Sequence, residues 1–355
     1  MTHAYPRVLI TDETLRDGFQ IERPGITLDE KLDVARLLVG AGIRRINVGA
    51  FVNPKWSPQM AATPQLVARL PQADGVEYIV TALNERGREM ARAMSPPLST
   101  ARLPATHLHL CPVFIRRNTN RTLDQQEAGW RLPIGQALEA GATQAAIGIS
   151  APWGSNFSGA FTPAHRMDAL ARQWDAWQQA GIAVTRIELA DPMSWNRPDL
   201  VADDLREIRR RFPAVKEFHI HLHNGRGLAL LSAWEALKAL DEGDLLMLDS
   251  ALGGIGGCPY NGSGQATGMI ATEDLVQLLD ALGVPTGADL AKLVEATHAV
   301  AALTQRTLDG RVHKAGPFLP LFDPNLPVVY TLDEAQHIRL GPGVCRSDFR
   351  PWERG

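Results

Sequence analysis

The stretch TLDEKLDVARLLVGAGIRRINV, residues 27–48, decides the fold. Thr27 with Glu30 three positions on is a capping box, in which hydroxyl and carboxylate each satisfy a backbone N–H at a helix start. Leu28, Leu32, Ala35 and Leu38 then recur at helical spacing until Gly40 and Gly42 stop the pattern. Ile43–Val48 follows as a short apolar run and reads as a strand. Helix, glycine stop and buried strand are the repeat unit of a parallel sheet.

The same cycle recurs on both sides of this unit. Strand-like runs fall at Val8–Thr11, Val76–Thr81, His107–Leu110, Gln144–Ile149, Ile182–Leu189, Glu217–Leu222 and Leu245–Leu248, with helical stretches between them. Eight such units predict an α/β fold closed into a (β/α)8 TIM barrel, although periodicity alone leaves a doubly wound open sheet as the alternative. The expected division is a catalytic barrel over residues 1–302 and a C-terminal extension over 303–355. That extension, rich in proline and glycine, would pack on the barrel or on a partner subunit. Ser95–Pro104, with prolines at 96, 97 and 104, is expected to be a loop ahead of the fourth strand.

Composition narrows the function classes. A 355-residue chain with 45% hydrophobic residues, 21% charged residues and a formal net charge of -3 is ordinary globular protein, with no electrostatic reason to bind nucleic acid or an anionic membrane. No run approaches the roughly 18 apolar residues of a membrane-spanning helix. The N-terminus has no secretory pattern, and three cysteines (Cys111, Cys258, Cys345) make no disulfide framework, so the expected location is the cytoplasm.

In a TIM barrel the functional side chains sit at the C-terminal ends of the strands, and four clusters lie there. After the first strand comes Asp12-Glu13-Thr14-Leu15-Arg16-Asp17-Gly18-Phe19-Gln20. Its adjacent Arg and Asp can supply a hard oxygen ligand beside a fixed cation, although a turn with a surface ion pair is the plainer reading. The seventh strand ends in His219-Ile220-His221-Leu222-His223, three imidazoles on one face by strand alternation. A plain stripe of histidines is the competing reading. The eighth strand runs into Asp249–Tyr260, with four glycines in five residues followed by Cys258. Such a loop offers little apolar packing, which suits a thiol that moves more than an inert one; Cys111 and Cys345 read as small hydrophobes. After the second strand, Phe51–Met60 reads as a proline-stiffened loop over the barrel mouth.

Taken together, these clusters resemble the metal-dependent lyase and synthase superfamily whose signature begins Arg-Asp-Gly, and within it the 3-hydroxy-3-methylglutaryl-CoA lyases. The likeness spans roughly residues 8–300. It is most specific in Phe51–Ala61, Gly256-Gly257-Cys258-Pro259-Tyr260 and Ala271-Thr272-Glu273-Asp274. The resemblance implies a carbon–carbon lyase that cleaves a 3-hydroxyacyl-CoA to acetyl-CoA and a keto acid. It implies Asp17, His221 and His223 as ligands of a divalent cation (Mg or Mn, with Zn or Fe also compatible). Arg16 becomes the residue that stabilises the acetyl-CoA enolate, and Cys258 the proton-transfer residue, with Asp17 and Arg16 beside it in the catalytic group. Gln20, Asn47 and Asp191 become substrate-facing, His219 a packing residue or a support for the ligands, and the molecule a homodimer.

Two positions depart from the lyases. Met269 stands where they carry an asparagine ligand, so Asn261, Gln265 or water would have to replace it; Asn47 stands where they carry a glutamate, which removes a negative charge and implies a shifted substrate. The lengthened segment Leu123–Ala140 and the Ser95–Pro104 loop would also reshape the pocket. Two alternatives follow: an aldolase or Claisen-type synthase joining a 2-oxo acid to acetyl-CoA, and a non-catalytic barrel that binds a metabolite or a protein.

Overall fold

The computed structural model describes residues 4–23, 25–82, 84–99, 101–261 and 268–318. The helix expected from the capping box runs Leu28–Gly40, with Thr27 Oγ1 accepting the Glu30 N–H and the Glu30 carboxylate returning to the Thr27 N–H. Leu32, Ala35 and Leu38 are buried. The chain then turns at Gly42, whose φ is 84° and where a Cβ would lie 2.4 Å from the Gly287 carbonyl oxygen, so only glycine fits.

Eight parallel strands follow the expected cycle: β1 (Arg7–Asp12), β2 (Arg45–Ala50), β3 (Glu77–Thr81), β4 (Ala105–His109), β5 (Gln144–Ser150), β6 (Ala183–Asp191), β7 (Glu217–Leu222) and β8 (Leu245–Ser250). Their order is β3-β2-β1-β8-β7-β6-β5-β4, each strand beside its sequence neighbour, with β1 and β8 paired over Arg7–Asp12. That is the order of a TIM barrel. At the β3 end of the sheet, Tyr78 bridges Leu98, in the proline-rich segment that leads toward β4 at the other end.

Alternation along β7 shows how the barrel divides apolar from polar. Phe218, Ile220 and Leu222 are buried in the hydrophobic core, while Glu217, His219 and His221 occupy the other face. Glu217 pairs there with Arg186 of β6, 2.6 Å away, and His219 faces Asp249 of β8. The interior is therefore charged, and its polar column rises to the C-terminal mouth.

Three local expectations change. The long helical region expected over Leu123–Ala140 is two helices, Leu123–Ala128 and Arg131–Glu139, broken at Gly129 and Trp130, whose indole N–H reaches the His107 carbonyl at 3.1 Å. An antiparallel hairpin (Gly154–Ser155 with Gly159–Ala160) follows β5. The last long helix, Leu290–Thr304, ends two residues past the expected boundary. A short turn of helix at Val312–Ala315 is tied back to the barrel by the Asp274 carboxylate, which accepts the Arg311 and Val312 N–H groups. Most of the expected C-terminal extension, with Cys345, lies outside the described residues. No helix among the described residues is long and apolar enough to cross a membrane.

Candidate active site

The site is built from two neighbouring strand ends and the turn after β1. Residues Thr14–Gly18 form one tight helical turn, held by interior bonds: the Asp12 carboxylate accepts the Thr14 N–H at 2.9 Å and the Thr272 hydroxyl at 2.8 Å. The turn presents Arg16 and Asp17 to the barrel axis. Across it, His221 from β7 and His223 just beyond β7 bring their Nε2 atoms to 3.0 Å of each other, and Asp17 Oδ2 lies 3.7 Å from His223 Nε2. Ligand atoms of Asp17, His221 and His223 all fall within 4.8 Å of one another. The Arg16 guanidinium is hydrogen-bonded to Asp17 Oδ1, while its Nε is buried with no partner among the described residues.

Two imidazole nitrogens and one carboxylate oxygen suit a divalent cation. The protonation state of His223 suits such a site. His223 is fully buried and its pKa falls to about 4, because burial disfavours its charge more than Asp17 favours it; the ring is neutral, with lone pairs to give. His221 behaves oppositely. Burial opposes its charge, yet the hydrogen bond and charge of Asp249 lift it to about 9. Burial alone would raise Asp17, but Arg16, His223 and His221 hold its carboxyl below the ordinary value.

Asp249 supports the cluster in a way that sequence reasoning missed. One of its oxygens meets His221 Nδ1 at 2.9 Å and the other meets His219 Nε2 at 2.7 Å. An ionised carboxylate only accepts, so His221 must present Nδ1–H to it, which leaves Nε2 free to face Asp17 and His223. Register was the signal that could have found it: Leu248 pairs with Ile220, which sets Asp249 beside His221. His219 is thereby a support for the ligand strand and not itself one of the converging donors.

The glycine loop reaches this cluster through its backbone. The Gly257 N–H donates to Asp17 Oδ2 at 3.0 Å, and a Cβ on Gly256 would lie 2.8 Å from that same oxygen. Cys258 follows directly. The expectation that such a loop offers no apolar packing is corrected: Cys258 is 9% exposed and packs with Cys111, Phe114, Ala151 and Met193. Burial pushes its thiol up to about 11, so the sulfur keeps its proton. Cys111 is more than a small hydrophobe, since its sulfur caps the helix Pro112–Thr119 by accepting the Phe114 N–H at 3.3 Å.

The remaining expected residues divide. Gln20 lies half-buried three residues past Asp17. Asp191 accepts the backbone and side-chain N–H groups of Asn196 at 2.6 and 2.7 Å, and Asn196 in turn donates to the His223 carbonyl at 2.9 Å; Asp191 thus braces the end of the ligand strand. Asn47 donates to the Glu13 carboxylate at 2.9 and 3.2 Å. A carboxyl group therefore does lie beside Asn47, that of Glu13 on the neighbouring strand end. Met269 bridges His223 through its backbone and buries its thioether in the core. Asn261 is buried and donates to the Ser194 hydroxyl at 2.7 Å, and Gln265 lies outside the described residues. The Phe51–Met60 loop is strapped to the β1 turn by Gln59, whose amide reaches the Glu22 carbonyl at 2.8 Å.

A parallel barrel carrying this donor cluster at its C-terminal mouth defines a class, the TIM-barrel enzymes with a divalent-metal site. Comparison with known proteins narrows it. The family model described as HMGL-like matches residues 7–300. Hydroxymethylglutaryl-CoA lyase of Pseudomonas mevalonii is 33% identical over 275 residues, 78% of this chain and 85% of that protein. (R)-citramalyl-CoA lyase of Chloroflexus aurantiacus is 33% identical over 323 residues, 88% and 96% of the two chains. Among solved structures, an HMG-CoA lyase from Acinetobacter baumannii in complex with coenzyme A and 3-methylmalate superposes with a TM-score of 0.74 at 26% identity, covering 89% of this chain and 97% of that one. The chain belongs to the HMGL-like family of divalent-metal-dependent lyases and is a carbon–carbon lyase.

Proposed function

We propose that this enzyme cleaves a 3-hydroxyacyl-CoA to acetyl-CoA and a keto acid, with Asp17, His221 and His223 holding a divalent cation, Mg or Mn in first place. The observation that carries this reading is the convergence of those three side chains beside the buried Arg16. The cation, when bound, supplies a Lewis acid that makes the substrate hydroxyl easier to deprotonate.

The chain's own residues supply the rest. Arg16 keeps its charge: burial opposes it, but Asp17, Glu13 and Asp249 outweigh burial. Its unpartnered Nε can take up the oxygen of the thioester enolate as charge develops there. In this reading Cys258, which holds its proton, protonates the enolate carbon after movement of the glycine loop frees it from its apolar cluster. Gln20 and Asn47 border the acyl end, and Asp191 acts through Asn196 on His223. Relatives named for hydroxymethylglutaryl-CoA and for (R)-citramalyl-CoA make these two thioesters the first substrates to try. The reading includes a homodimer and a cytoplasmic location.

The test is metal content by mass spectrometry, then acetyl-CoA release from both thioesters with and without the metal. Metal-dependent release supports the reading. Bound metal with consumption of acetyl-CoA and a 2-oxo acid would replace it with a synthase, and absence of metal binding would defeat it.

A further inference from the structure

Among the described residues, three carboxylates at the barrel mouth have both oxygens committed, while Asp191, whose Oδ1 is buried without a partner, and Glu13 keep acceptor capacity. Asp17 is tied to Arg16 and takes the Gly257 N–H; Asp249 serves two histidines; Asp191 takes two bonds from Asn196; Asp12 takes Thr14 and Thr272. Of Asp191 and Glu13, Glu13 is the one that lies beside the Arg16 guanidinium. It is 4% exposed and lies two residues past Thr11, which pairs with Asp249, so it sits one pleat above the layer of Asp249 and His221. Among the described residues its hydrogen-bond donor is the Asn47 amide, at 2.9 and 3.2 Å, with Arg16 Nη1 at 3.8 Å. A carboxylate offers about four acceptor sites, so one NH2 group leaves Glu13 with lone pairs to spare.

The surroundings of Glu13 are equally underused. Its carboxylate can only accept, which forces Asn47 to turn Nδ2 toward it and toward Thr81 Oγ1, 3.1 Å away. Among the described residues, Asn47 Oδ1 is left buried without a partner, and so is Arg16 Nε. An unpaired acceptor, an unpaired donor and a carboxylate with free lone pairs therefore lie side by side next to Asp17. Buried orphans of this kind are costly unless a ligand completes them. The group that would complete them carries both a lone pair and an O–H.

We infer, resting on the lyase reading above, that Glu13 is the group that takes the proton of the substrate's 3-hydroxyl, and that Asn47 is the residue that positions it. The step balances within the site. The hydroxyl O–H breaks and its proton goes to a Glu13 oxygen. The alkoxide becomes the carbonyl of the keto product as the C2–C3 bond breaks, and that electron pair becomes the acetyl-CoA enolate. The enolate carbon then takes a proton from Cys258; Glu13 releases its proton to solvent and the Cys258 thiolate takes one back from solvent, which restores both groups. Burial pushes the Glu13 carboxyl up to about 7 against the opposing pull of Arg16, with Asp249 raising it and His221 lowering it, so its basicity suits a base working near neutral pH.

The test compares Glu13→Gln with Glu13→Asp in the full-length, metal-loaded enzyme. Gln keeps the size and an acceptor oxygen for Asn47 but is no base; Asp keeps the base and shortens it. Glu13→Gln should lower kcat by about 10²–10³-fold with KM and metal affinity within about threefold, and Glu13→Asp should exceed it by about tenfold or more. A purely structural role predicts the reverse ranking, because Gln preserves the shape better. That ranking, a Glu13→Gln enzyme within about fivefold of wild type, or a fall in metal affinity parallel to kcat would overturn the assignment. Should Glu13→Gln fail to fold, Asn47→Ala should lower kcat about tenfold at unchanged metal affinity, and an unchanged kcat would count against the assignment. A wild-type enzyme that releases no acetyl-CoA defeats the lyase reading itself; normal wild-type turnover with insensitive variants defeats only the role of Glu13.

Discussion

Two strands of this barrel end in alternating histidines, and only one of them makes a candidate site. β4 carries His107 and His109, and β7 carries His219 and His221 with His223 beyond it. The imidazoles of β4 meet neutral partners: His107 Nε2 lies 2.6 Å from the Ser150 hydroxyl and His109 Nδ1 lies 2.8 Å from the Gln126 amide. Those of β7 meet Asp249 and Asp17. The consequence shows in their charge. Burial depresses His109 to about 3, with nearby His107 adding to the effect, while Asp249 overcomes the same burial and lifts His221 to about 9. A His-x-His pattern on a strand end is thus only half of a metal site; the acids across the strand register decide whether it becomes one.

The strongest way to break this comparison is to remove a ligand from each strand. Asp17→Asn or His223→Ala should abolish stoichiometric metal binding by calorimetry and lower kcat/KM about 10³-fold or more, the several kcal/mol that a Lewis acid supplies. His109→Gln on β4 should leave metal stoichiometry unchanged. Equal losses from both strands would show that the metal sits elsewhere in the interior.

Smaller effects sharpen the picture. Cys258→Ser should lower kcat about 10²–10³-fold, because an alcohol is a poor proton donor in its place, while metal affinity stays at the wild-type value. An equal loss of metal affinity would mean that the loop, through Gly257 and Asp17, matters more than the thiol. Asp249→Asn comes next. Its amide cannot accept from both His221 and His219, so metal affinity should fall about 10–100-fold, as expected when the group orienting a ligand histidine is changed. Unchanged affinity in that variant would remove the distinction drawn between β4 and β7.

How much of this was legible in the sequence follows from the range of the forces involved. The capping box at Thr27, the stop at Gly42 and the two-residue alternation of β7 are local, and they led to the correct elements and to a barrel. The edge of β3 is not covered locally: Leu98 bridges Tyr78 from a segment that reads only as a proline loop. At the site, Asp17, His221 and His223 stand out by residue type and by position at strand ends. Asp249 and Glu13 were in view but carried no assignable role, because their meaning depends on which side chain the next strand places opposite. The change at Asn47 could not be weighed from the sequence for the same reason, since the Glu13 carboxyl group reaches it from the end of β1. Cys258 was misjudged because the apolar cluster around it comes from Phe114, Ala151 and Met193, all more than 60 positions away.

The smallest effect concerns stability, and it tests the β4 side of the comparison directly. His109 is buried and neutral, with its folded-state pKa near 3 against an ordinary value of 6.5. Because the folded value is depressed, the unfolded chain takes up the proton first as the pH falls. The contribution of His109 is therefore complete above pH 6.5 and is lost progressively as the pH falls from 6.5 toward 3. One proton corresponds to a slope of about 1.4 kcal/mol per pH unit in unfolding free energy. Urea unfolding of the metal-saturated protein at pH 6.5 and 5.5 should give a steeper fall for wild type than for His109→Gln, by up to about that amount. The two slopes would coincide if His109 titrated like an exposed histidine. In that case the neutral partners Gln126 and Ser150 would not be what separates β4 from β7, and solvent reaching the β4 imidazoles would have to be the difference.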